Sequence, residues 1–447
     1  MLKFPQKEFK MKENKNTTFR IEGGIPLSGV ISAKGNKNSA LPILASCIMI
    51  EGEIHLENVP KIEDVFSMIE LIQSLGVSAR WEGEHGLIID ASEISDTTID
   101  AGLASKIRGS ILLAAPLLHR LGKAVIPIPG GDRIGRRRLD THLQVLGALG
   151  VDIEARSSEI HFKASEGGFH GNEIWLDEAS VTGTEQAIMA ASVAKGETVI
   201  SNAASEPHVQ DLCNFLIRHG AVIKGVGSNR LRIEGRAMKS DTNAFALSAD
   251  FMEECSLIVA AAATRGKIIL ENHPWDEHHM MRLMLGKLGC SLDNVGGKVV
   301  VDGGKEMVIN TEADRQMPTI KSAVWPGFNT DLMSALVVLA TQAVGKVMFH
   351  ETLFDNRFVW TDNLRRMGAD ITMCDPHRII IQGATPLHPA SGGIRSPDIR
   401  AGMALLVAAL ASPGIHFIEN AYQIDRGYED IDVRLRLLGA RVERLEH

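Results

Sequence analysis

The tripeptide Leu75-Gly76-Val77 indicates the fold of this chain, because it ends an amphipathic helical pattern, starts a strand pattern and is followed by five similar tripeptides. Its glycine suits the left-handed conformation that stops a helix. Successive glycines of the series lie 69 to 79 residues apart, so each repeat holds one small αβ module. The other members are Leu149-Gly150-Val151, His219-Gly220-Ala221, Leu288-Gly289-Cys290, Met367-Gly368-Ala369 and Leu438-Gly439-Ala440.

Strand patterns after these glycines support the same interpretation. Alternating apolar and polar residues predict half-buried strands, and they occupy positions 77–81, 151–155 and 222–224. Apolar runs that predict returning strands occupy positions 86–90, 231–234, 298–302 and 378–381. Six modules, three in each half, predict two similar α/β domains with a ligand cleft between them.

Composition is typical of a globular protein with more than one domain. The chain has 447 residues, of which 45% are hydrophobic and 23% charged. Its net charge of -8 argues against a general nucleic-acid binder, and no apolar run has membrane-spanning length. The five cysteines are too dispersed for a zinc motif or disulfide framework, so we expect a cytoplasmic protein without a metal. Residues 1–17 are polar and predict a disordered leader, and the oligomeric state stays open.

One glycine-rich segment sets a carboxylate among four arginines: Pro129-Gly130-Gly131-Asp132-Arg133-Ile134-Gly135-Arg136-Arg137-Arg138-Leu139-Asp140. Glycines let the backbone approach a ligand, and arginine forks match the oxygens of phosphate and carboxylate. Asp132 would face that anion, which favours a proton donor over an anchor. The alternative for the segment is a solvated basic turn.

Further motifs follow in order along the chain. They are Gly35-Asn36-Lys37-Asn38-Ser39-Ala40-Leu41-Pro42, Lys106-Ile107-Arg108-Gly109-Ser110, Asn329-Thr330-Asp331-Leu332, Phe354-Asp355-Asn356-Arg357-Phe358, Asp398-Ile399-Arg400-Ala401-Gly402 and Ile424-Asp425-Arg426-Gly427-Tyr428-Glu429. With the six repeats and the segment 129–142, this set resembles the enolpyruvyl transferases, most closely their nucleotide-sugar branch.

The resemblance implies a fold of two inside-out, barrel-like α/β domains built from six βαβαββ-type repeats. The chain is expected to start in one domain, build the other and then return. The first domain would span 38–247 and carry the active-site loop 129–142. The second would consist of 18–37 plus 248–447.

The resemblance also implies a reaction. The enolpyruvyl group would pass from phosphoenolpyruvate to the 3-hydroxyl of UDP-N-acetylglucosamine with release of phosphate, as the first committed step of peptidoglycan precursor synthesis. Protonation at C3 makes C2 of phosphoenolpyruvate electron-poor, and the sugar oxygen attacks it. No cofactor is expected, and the partners are the two substrates.

Phosphoenolpyruvate carries a phosphate and a carboxylate, so its site needs several fixed cations. Four residues match the family's cations: Lys37, Arg108, Arg137 and Arg426. Lys37 precedes the apolar run 39–50, a predicted buried helix whose N-terminal dipole would also attract an anion. The alternatives are a solvated lysine and, for the arginines at 108 and 426, surface ion pairs with Asp425 or Glu429.

On the acceptor side, Asp331 matches the carboxylate proposed as the base for the sugar hydroxyl. Its alternative role is the N-cap of the helix predicted from Leu332, and both roles can coexist. Other positions matching the family's UDP-sugar contacts are Asn38, Arg108, Arg137, Leu139, Asp140, His142, Ser180, Val181 and Leu353. Supporting positions are Arg357, Asp398 and Arg400. We assign His142 no acid-base role.

Asp132 completes the catalytic set of Asp132, Lys37, Asp331 and Arg426, as the candidate proton donor where many relatives carry a cysteine. Aspartate has an ordinary pKa of about 3.9, and neighbouring arginines would lower it. The negative charge of the bound substrates is therefore expected to raise the pKa of Asp132 during the reaction.

Several departures from the family pattern concern the acceptor side. Arg138 replaces a proline, Thr182 a glycine, Asn329 a proline and Met333 a glutamine. They leave open a paralogue that modifies another nucleotide, or an inactive regulatory paralogue. The shikimate-using sister enzyme is less favoured by the loop and by Asn329-Thr330-Asp331. A binding ring of αβ modules would need a distributed basic face, whereas this chain concentrates its arginines.

Asp132 generates a first testable prediction. The epoxide fosfomycin inhibits relatives by alkylating the loop cysteine, and a carboxylate is a weaker nucleophile than a thiolate. We expect the wild type to show no time-dependent inactivation by fosfomycin, and Asp132→Cys to be inactivated with a covalent adduct at that position. Mass spectrometry of the treated proteins measures both, and an adduct on Asp132 of the wild type would contradict the prediction.

Overall fold

The computed structural model describes residues 17–130, 138–272, 274–275, 278–314 and 316–446. The strands of these residues are β1 Thr17–Gly23, β2 Ser28–Ser32, β3 Glu53–Glu57, β4 Ser78–Glu82, β5 Gly86–Asp90, β6 Lys123–Pro127, β7 Val151–Ala155, β8 Glu159–Ala164, β9 Glu173–Trp175, β10 Glu197–Ser201, β11 Val222–Lys224, β12 Arg230–Glu234, β13 Phe245–Ala246, β14 Lys267–Glu271, β15 Leu292–Val295, β16 Lys298–Asp302, β17 Thr319–Lys321, β18 Gly345–His350, β19 Asp370–Asp375, β20 Arg378–Gly383, β21 Ile394–Arg395, β22 Gly414–Glu419 and β23 Arg441–Glu446.

The α-helices are α1 Lys37–Cys47, α2 Glu63–Ser74, α3 Ala101–Ala104, α4 Ala114–Leu121, α5 Asp140–Ala148, α6 Val181–Ala191, α7 Pro207–Arg218, α8 Phe251–Ala263, α9 His279–Lys287, α10 Met333–Gln342, α11 Thr361–Arg366, α12 Ile399–Ala411, α13 Tyr422–Asp425 and α14 Ile431–Leu437. Two 3-10 segments cover Arg108–Leu113 and Thr330–Leu332. The predicted leader lies outside the described residues apart from Thr17, which is the buried first residue of β1.

The six repeat glycines end helices as predicted. Each follows the last residues of α2, α5, α7, α9, α11 or α14, and each has a φ between 79° and 112°. That left-handed conformation is readily adopted only by glycine, so it terminates the helix and turns the chain into the next strand. The strands predicted after these turns are confirmed as β4, β7 and β11, and the returning strands as β5, β12, β16 and β20.

Each repeat contributes most of the strands of one sheet, and the unit β9-α6-β10-α7-β11-β12 shows the pattern most completely. Its strands lie in the order β11-β12-β10-β9, with β9 parallel to β10 and the other neighbours antiparallel. The described residues form five four-stranded sheets and one three-stranded sheet, none of which closes into a barrel. The prediction of an α/β fold from six repeats is confirmed, in the form of six small open sheets.

Helices occupy the centre of each half. Helices α8, α10 and α12 pack on one another, and every residue of α8 is buried. These enclosed helices leave the amphipathic sheets outside. One core draws its residues from 40–247 and the other from 19–27 together with 251–442.

Two connections between the halves lie side by side. Strand β2 pairs in parallel with β14, and β13 pairs with β3, so the repeats exchange their first strands here. Gly35 bridges Ala249, and the N–H of Asn36 donates to the carbonyl oxygen of Ser248 at 2.8 Å. The connection from β2 leads directly into Lys37 at the start of α1, so this crossing sets the position of a predicted site residue.

No helix in the described part of the chain combines the length and the apolar character that crossing a bilayer requires.

Two of the repeat glycines give a matched stability prediction. A Cβ on Gly289 would meet backbone atoms of Val308 at 2.5 and 2.7 Å, whereas one on Gly439 would meet nothing within 4 Å. Gly439→Ala should lower the free energy of unfolding by about 1–2 kcal/mol through left-handed strain alone. Gly289→Ala should lower it further, because the turn must also move away from Val308. Chemical denaturation measures both, and equal losses would contradict the prediction.

Candidate active site

A cavity of about 390 Å³ lies between the two cores and is lined by residues of both halves. It collects most of the residues that the sequence singled out and that the structure describes. Those on its wall are Lys37, Asn38, Arg108, Ser180, Val181, Asp331, Leu353, Arg357, Asp398, Arg400 and Arg426. Asp132 and Arg137 lie outside the described residues.

Lys37 begins the buried helix α1, as predicted. The side chain of Asn36 caps this helix by accepting from the N–H of Asn38 at 2.8 Å. The Lys37 ammonium is itself nearly buried and lies 2.6 Å from a carboxylate oxygen of Asp64. The alternative of a solvated lysine is therefore wrong. A buried cation at a helix N-terminus is well placed to meet a ligand anion.

Arg426 reaches the same carboxylate from the other half of the molecule. Its Nε donates to Oδ1 of Asp64 at 2.9 Å and its Nη2 to Oδ2 at 3.3 Å. The partner suggested from the sequence, Asp425, instead accepts from Arg444 at 2.6 Å. Arg426 is thus a buried member of the cavity wall and not a surface ion pair with Asp425.

Asp64 is a site residue that the sequence analysis missed. It stands in the first turn of α2, where an acidic residue is ordinary, so the local pattern offered no signal. Burial acts to raise the pKa of Asp64, but the charges of Lys37 and Arg426 outweigh it and hold the pKa below the usual value. The carboxylate is therefore ionised and fixes both cations at the cavity.

Asp331 is held by two cations of the second half. Arg357 donates from Nη2 to its Oδ1 at 2.6 Å, and Arg400 from Nε to its Oδ2 at 3.3 Å. Burial acts to raise the pKa of Asp331, but these two arginines lower it far below its ordinary value. The predicted cap role is wrong, because the side chain of Asn329 caps this segment by accepting from the N–H of Asp331.

Arg400 owes its position to the start of α12. Asp398 is the N-cap of that helix and accepts from the N–H groups of Arg400 and Ala401, both at 2.9 Å. Nη1 of Arg400 also donates to the hydroxyl of Tyr428 at 3.3 Å. Arg357 and Arg400 are both nearly buried, so they position Asp331 and add positive charge to this wall.

The described end of the predicted active-site loop 129–142 is tied to the cavity wall of the first half. Arg108 opens its 3-10 segment and donates from Nη2 to the carbonyl oxygen of Arg138 at 2.6 Å. Arg138 forms ion pairs with Asp140 at 3.1 Å and with Asp177 at 3.0 Å. Arg108 therefore connects the cavity wall to the chain that leaves the loop.

Among the predicted UDP-sugar contacts, Leu139, Asp140 and His142 are not on the wall of this cavity. His142 is buried in α5, and its Nε2 lies 3.0 Å from the hydroxyl oxygen of Thr182. Burial and, to a smaller extent, the charge of Arg108 lower the pKa of His142 to about 3, so the ring is neutral. Ser180 lies on the wall as the N-cap of α6.

The Asp64 bridge gives a second prediction. Asp64→Asn leaves two nearly buried cations without their carboxylate, and breaking such a pair typically lowers stability by about 3–5 kcal/mol. Inorganic phosphate, which can take the place of the lost charge, should restore more stability to this variant than to the wild type. Thermal unfolding with and without phosphate measures both effects.

Glu253→Gln is the control, because Glu253 forms an equally buried pair with Arg434 away from the cavity wall. Glu253→Gln should also lower the stability of the protein, but phosphate should not restore more stability to it than to the wild type. Equal phosphate effects in the two variants would contradict a ligand role for the cations held by Asp64.

Comparisons with known proteins agree with this geometry. The family model of EPSP synthase (3-phosphoshikimate 1-carboxyvinyltransferase) matches residues 21–435. Proteins named UDP-N-acetylglucosamine 1-carboxyvinyltransferase are 45% identical in Treponema denticola, over 95% of this chain and 98% of that one, and 43% identical in Bradyrhizobium diazoefficiens, over 95% and 97%.

Solved structures show the same fold. The enolpyruvyl transferase NikO from Streptomyces tendae superposes with a TM-score of 0.85 at 23% identity, over 97% of this chain and all of that one. EPSP synthase from Acinetobacter baumannii gives 0.75 at 18% identity, over 96% and 100%. The resemblance seen in the sequence is confirmed: this chain belongs to the EPSP synthase family of enolpyruvyl transferases.

Proposed function

We propose that this protein transfers the enolpyruvyl group of phosphoenolpyruvate to the 3-hydroxyl of UDP-N-acetylglucosamine and releases phosphate, the first committed step of peptidoglycan precursor synthesis. The observation that carries the proposal is one cavity lined by cations from both halves and by the carboxylate of Asp331. The names of relatives at 40–45% identity over nearly the whole chain support the nucleotide-sugar acceptor.

Phosphoenolpyruvate would bind between the cations of the two halves. Lys37 and Arg426, fixed by Asp64, supply charge for its phosphate and carboxylate, and Arg108 supplies charge from the first half. Arg137 is proposed for the same role from the sequence alone. As the tetrahedral intermediate forms, these cations stabilise its negative charge.

Proton transfer is assigned to two carboxyl groups. Asp132, proposed from the sequence, donates a proton to C3 of phosphoenolpyruvate. Asp331 is ionised in the free site, so it can accept a hydrogen bond from the sugar hydroxyl and take its proton as the C–O bond forms. Loss of phosphate and of a proton from C3 then regenerates the double bond.

We also propose that residues 38–247 and residues 18–37 plus 248–447 are two domains that close on the substrates. The two separate cores and the adjacent connections at Gly35 and Ala249 support this division. Closure would exclude water and bring the cations of the two halves onto one ligand. We place the reaction in the cytoplasm, in keeping with five unpaired cysteines.

The proposal is tested by product analysis. Phosphoenolpyruvate and a panel of nucleotides and nucleotide sugars are incubated with the enzyme, phosphate release is followed, and products are identified by mass spectrometry. We expect UDP-N-acetylglucosamine to gain one enolpyruvyl group. Asp331→Asn should lower kcat by about 100-fold or more, while Asp241→Asn, at an exposed ion pair with Arg218, should not. Turnover of a different nucleotide only, or of none, would contradict the proposal.

A further inference from the structure

Three polar side chains of the first half line the cavity without being part of its cation set. Glu185 projects from α6, Glu206 precedes α7, and His208 lies in the first turn of α7. Their exposed fractions are 2%, 6% and 2%. None of them belongs to a motif that is recognisable in the sequence, since an acidic or histidine residue in or next to a helix is ordinary.

These side chains have polar atoms without hydrogen-bond partners among the described residues. They are Oε1 of Glu185, Oε2 of Glu206, and both Nδ1 and Nε2 of His208. A buried polar atom left unpaired costs about 1–3 kcal/mol. A wall that served only to pack the core would be apolar, so these atoms are best explained by a ligand that completes their hydrogen bonds.

The three groups lie near the proposed base. The charge of Asp331 contributes to the titration of both Glu206 and His208, and the ring of His208 stacks on Phe251 of the opposite half with centroids 6.4 Å apart. The wall therefore borders the place where the acceptor hydroxyl would meet Asp331, and the charge of Arg400 also acts on His208 there.

The chemistry of this wall suits uncharged groups. Burial and then the charge of Glu206 raise the pKa of Glu185, and burial raises the pKa of Glu206 itself. Burial lowers the pKa of His208 to about 4, so its ring is neutral, with one nitrogen to donate and one to accept. Hydroxyl and amide groups can pair with such a set, whereas a ligand carboxylate or phosphate would add negative charge to a desolvated wall that already disfavours it.

We propose that Glu185, Glu206 and His208 form an acceptor-specificity wall, which pairs with uncharged hydroxyl or amide groups of the acceptor sugar and excludes sugars that carry an acidic group there. This inference rests on the proposed function and deepens it, because it names the class of acceptor that the site admits. The residues are specificity determinants, and the transfer reaction itself is assigned to other groups.

Equilibrium binding of two sugar nucleotides tests the wall. UDP-N-acetylglucosamine and its uronic acid, in which a carboxylate replaces the primary alcohol, are titrated by calorimetry into the wild type, Glu206→Gln and Glu185→Gln. We expect the wild type to prefer the neutral sugar by at least 100-fold. Each variant should reduce that preference about tenfold, because an amide keeps the shape of the carboxyl group but cannot ionise and so never opposes an acidic ligand.

Glu178→Gln is the matched control, since Glu178 lines the same cavity but is exposed at its rim. It should leave the preference unchanged within about twofold, as expected for a solvent-screened charge. His208→Phe keeps the stacking ring and removes both nitrogens, and it should weaken binding of the neutral sugar about tenfold, the equivalent of one lost hydrogen bond. Thermal unfolding of each variant identifies any that fails to fold.

The outcomes separate this inference from the proposed function. Three results would contradict the proposed role of the wall in specificity. They are an unchanged preference in both glutamine variants, an equal change in Glu178→Gln, and tight binding of the uronic acid by the wild type. Because binding is measured without turnover, absence of phosphate release in the product assay would overturn the proposed function alone.

Discussion

The site depends on one carboxylate that two cations share. Asp64 accepts from Lys37, which ends the connection between the halves, and from Arg426 of the second half, 362 positions away in sequence. Without it, two buried positive charges would repel each other at the place that we propose for the anion. With it, both cations stay ordered before any ligand arrives, so binding need not pay for arranging them. An ammonium has three N–H donors, so Lys37 can bond Asp64 and a ligand at once.

A second carboxylate repeats the arrangement within one half. Asp331 is shared by Arg357 and Arg400, and Arg400 is in turn fixed by the cap of α12. The chemical role proposed for each differs, because Asp331 retains partial exposure on the cavity wall, whereas Asp64 is enclosed. One ion-pair pattern thus serves to hold cations in place at Asp64 and to present a carboxylate at Asp331.

Sequence patterns predicted the structural features that depend on neighbouring residues or that recur in every repeat. The repeat glycines stop helices because left-handed backbone is needed at each turn, and that requirement is visible in a tripeptide. The buried helix after Lys37 was likewise readable from its apolar run. Sequence patterns did not predict ion pairs whose two members come from distant repeats. Asp64 looked like an ordinary first-turn acid, and Arg426 had a plausible neighbour in Asp425 that pairs elsewhere.

The departures from the family pattern also show what the sequence alone does not decide, namely which acceptor the site binds. Thr182 bonds His142, Arg138 bonds Asp140 and Asp177, and Asn329 caps the segment that carries Asp331. Three of the four unusual residues thus have a partner inside this chain. A substitution that acquires its own partner preserves local structure, so it need not change the ligand, and the departures alone do not argue for a different acceptor. In our proposal, the choice of acceptor depends instead on polar groups that have no hydrogen-bond partner among the described residues. A buried polar atom left unpaired can be recognised only after the repeats are assembled.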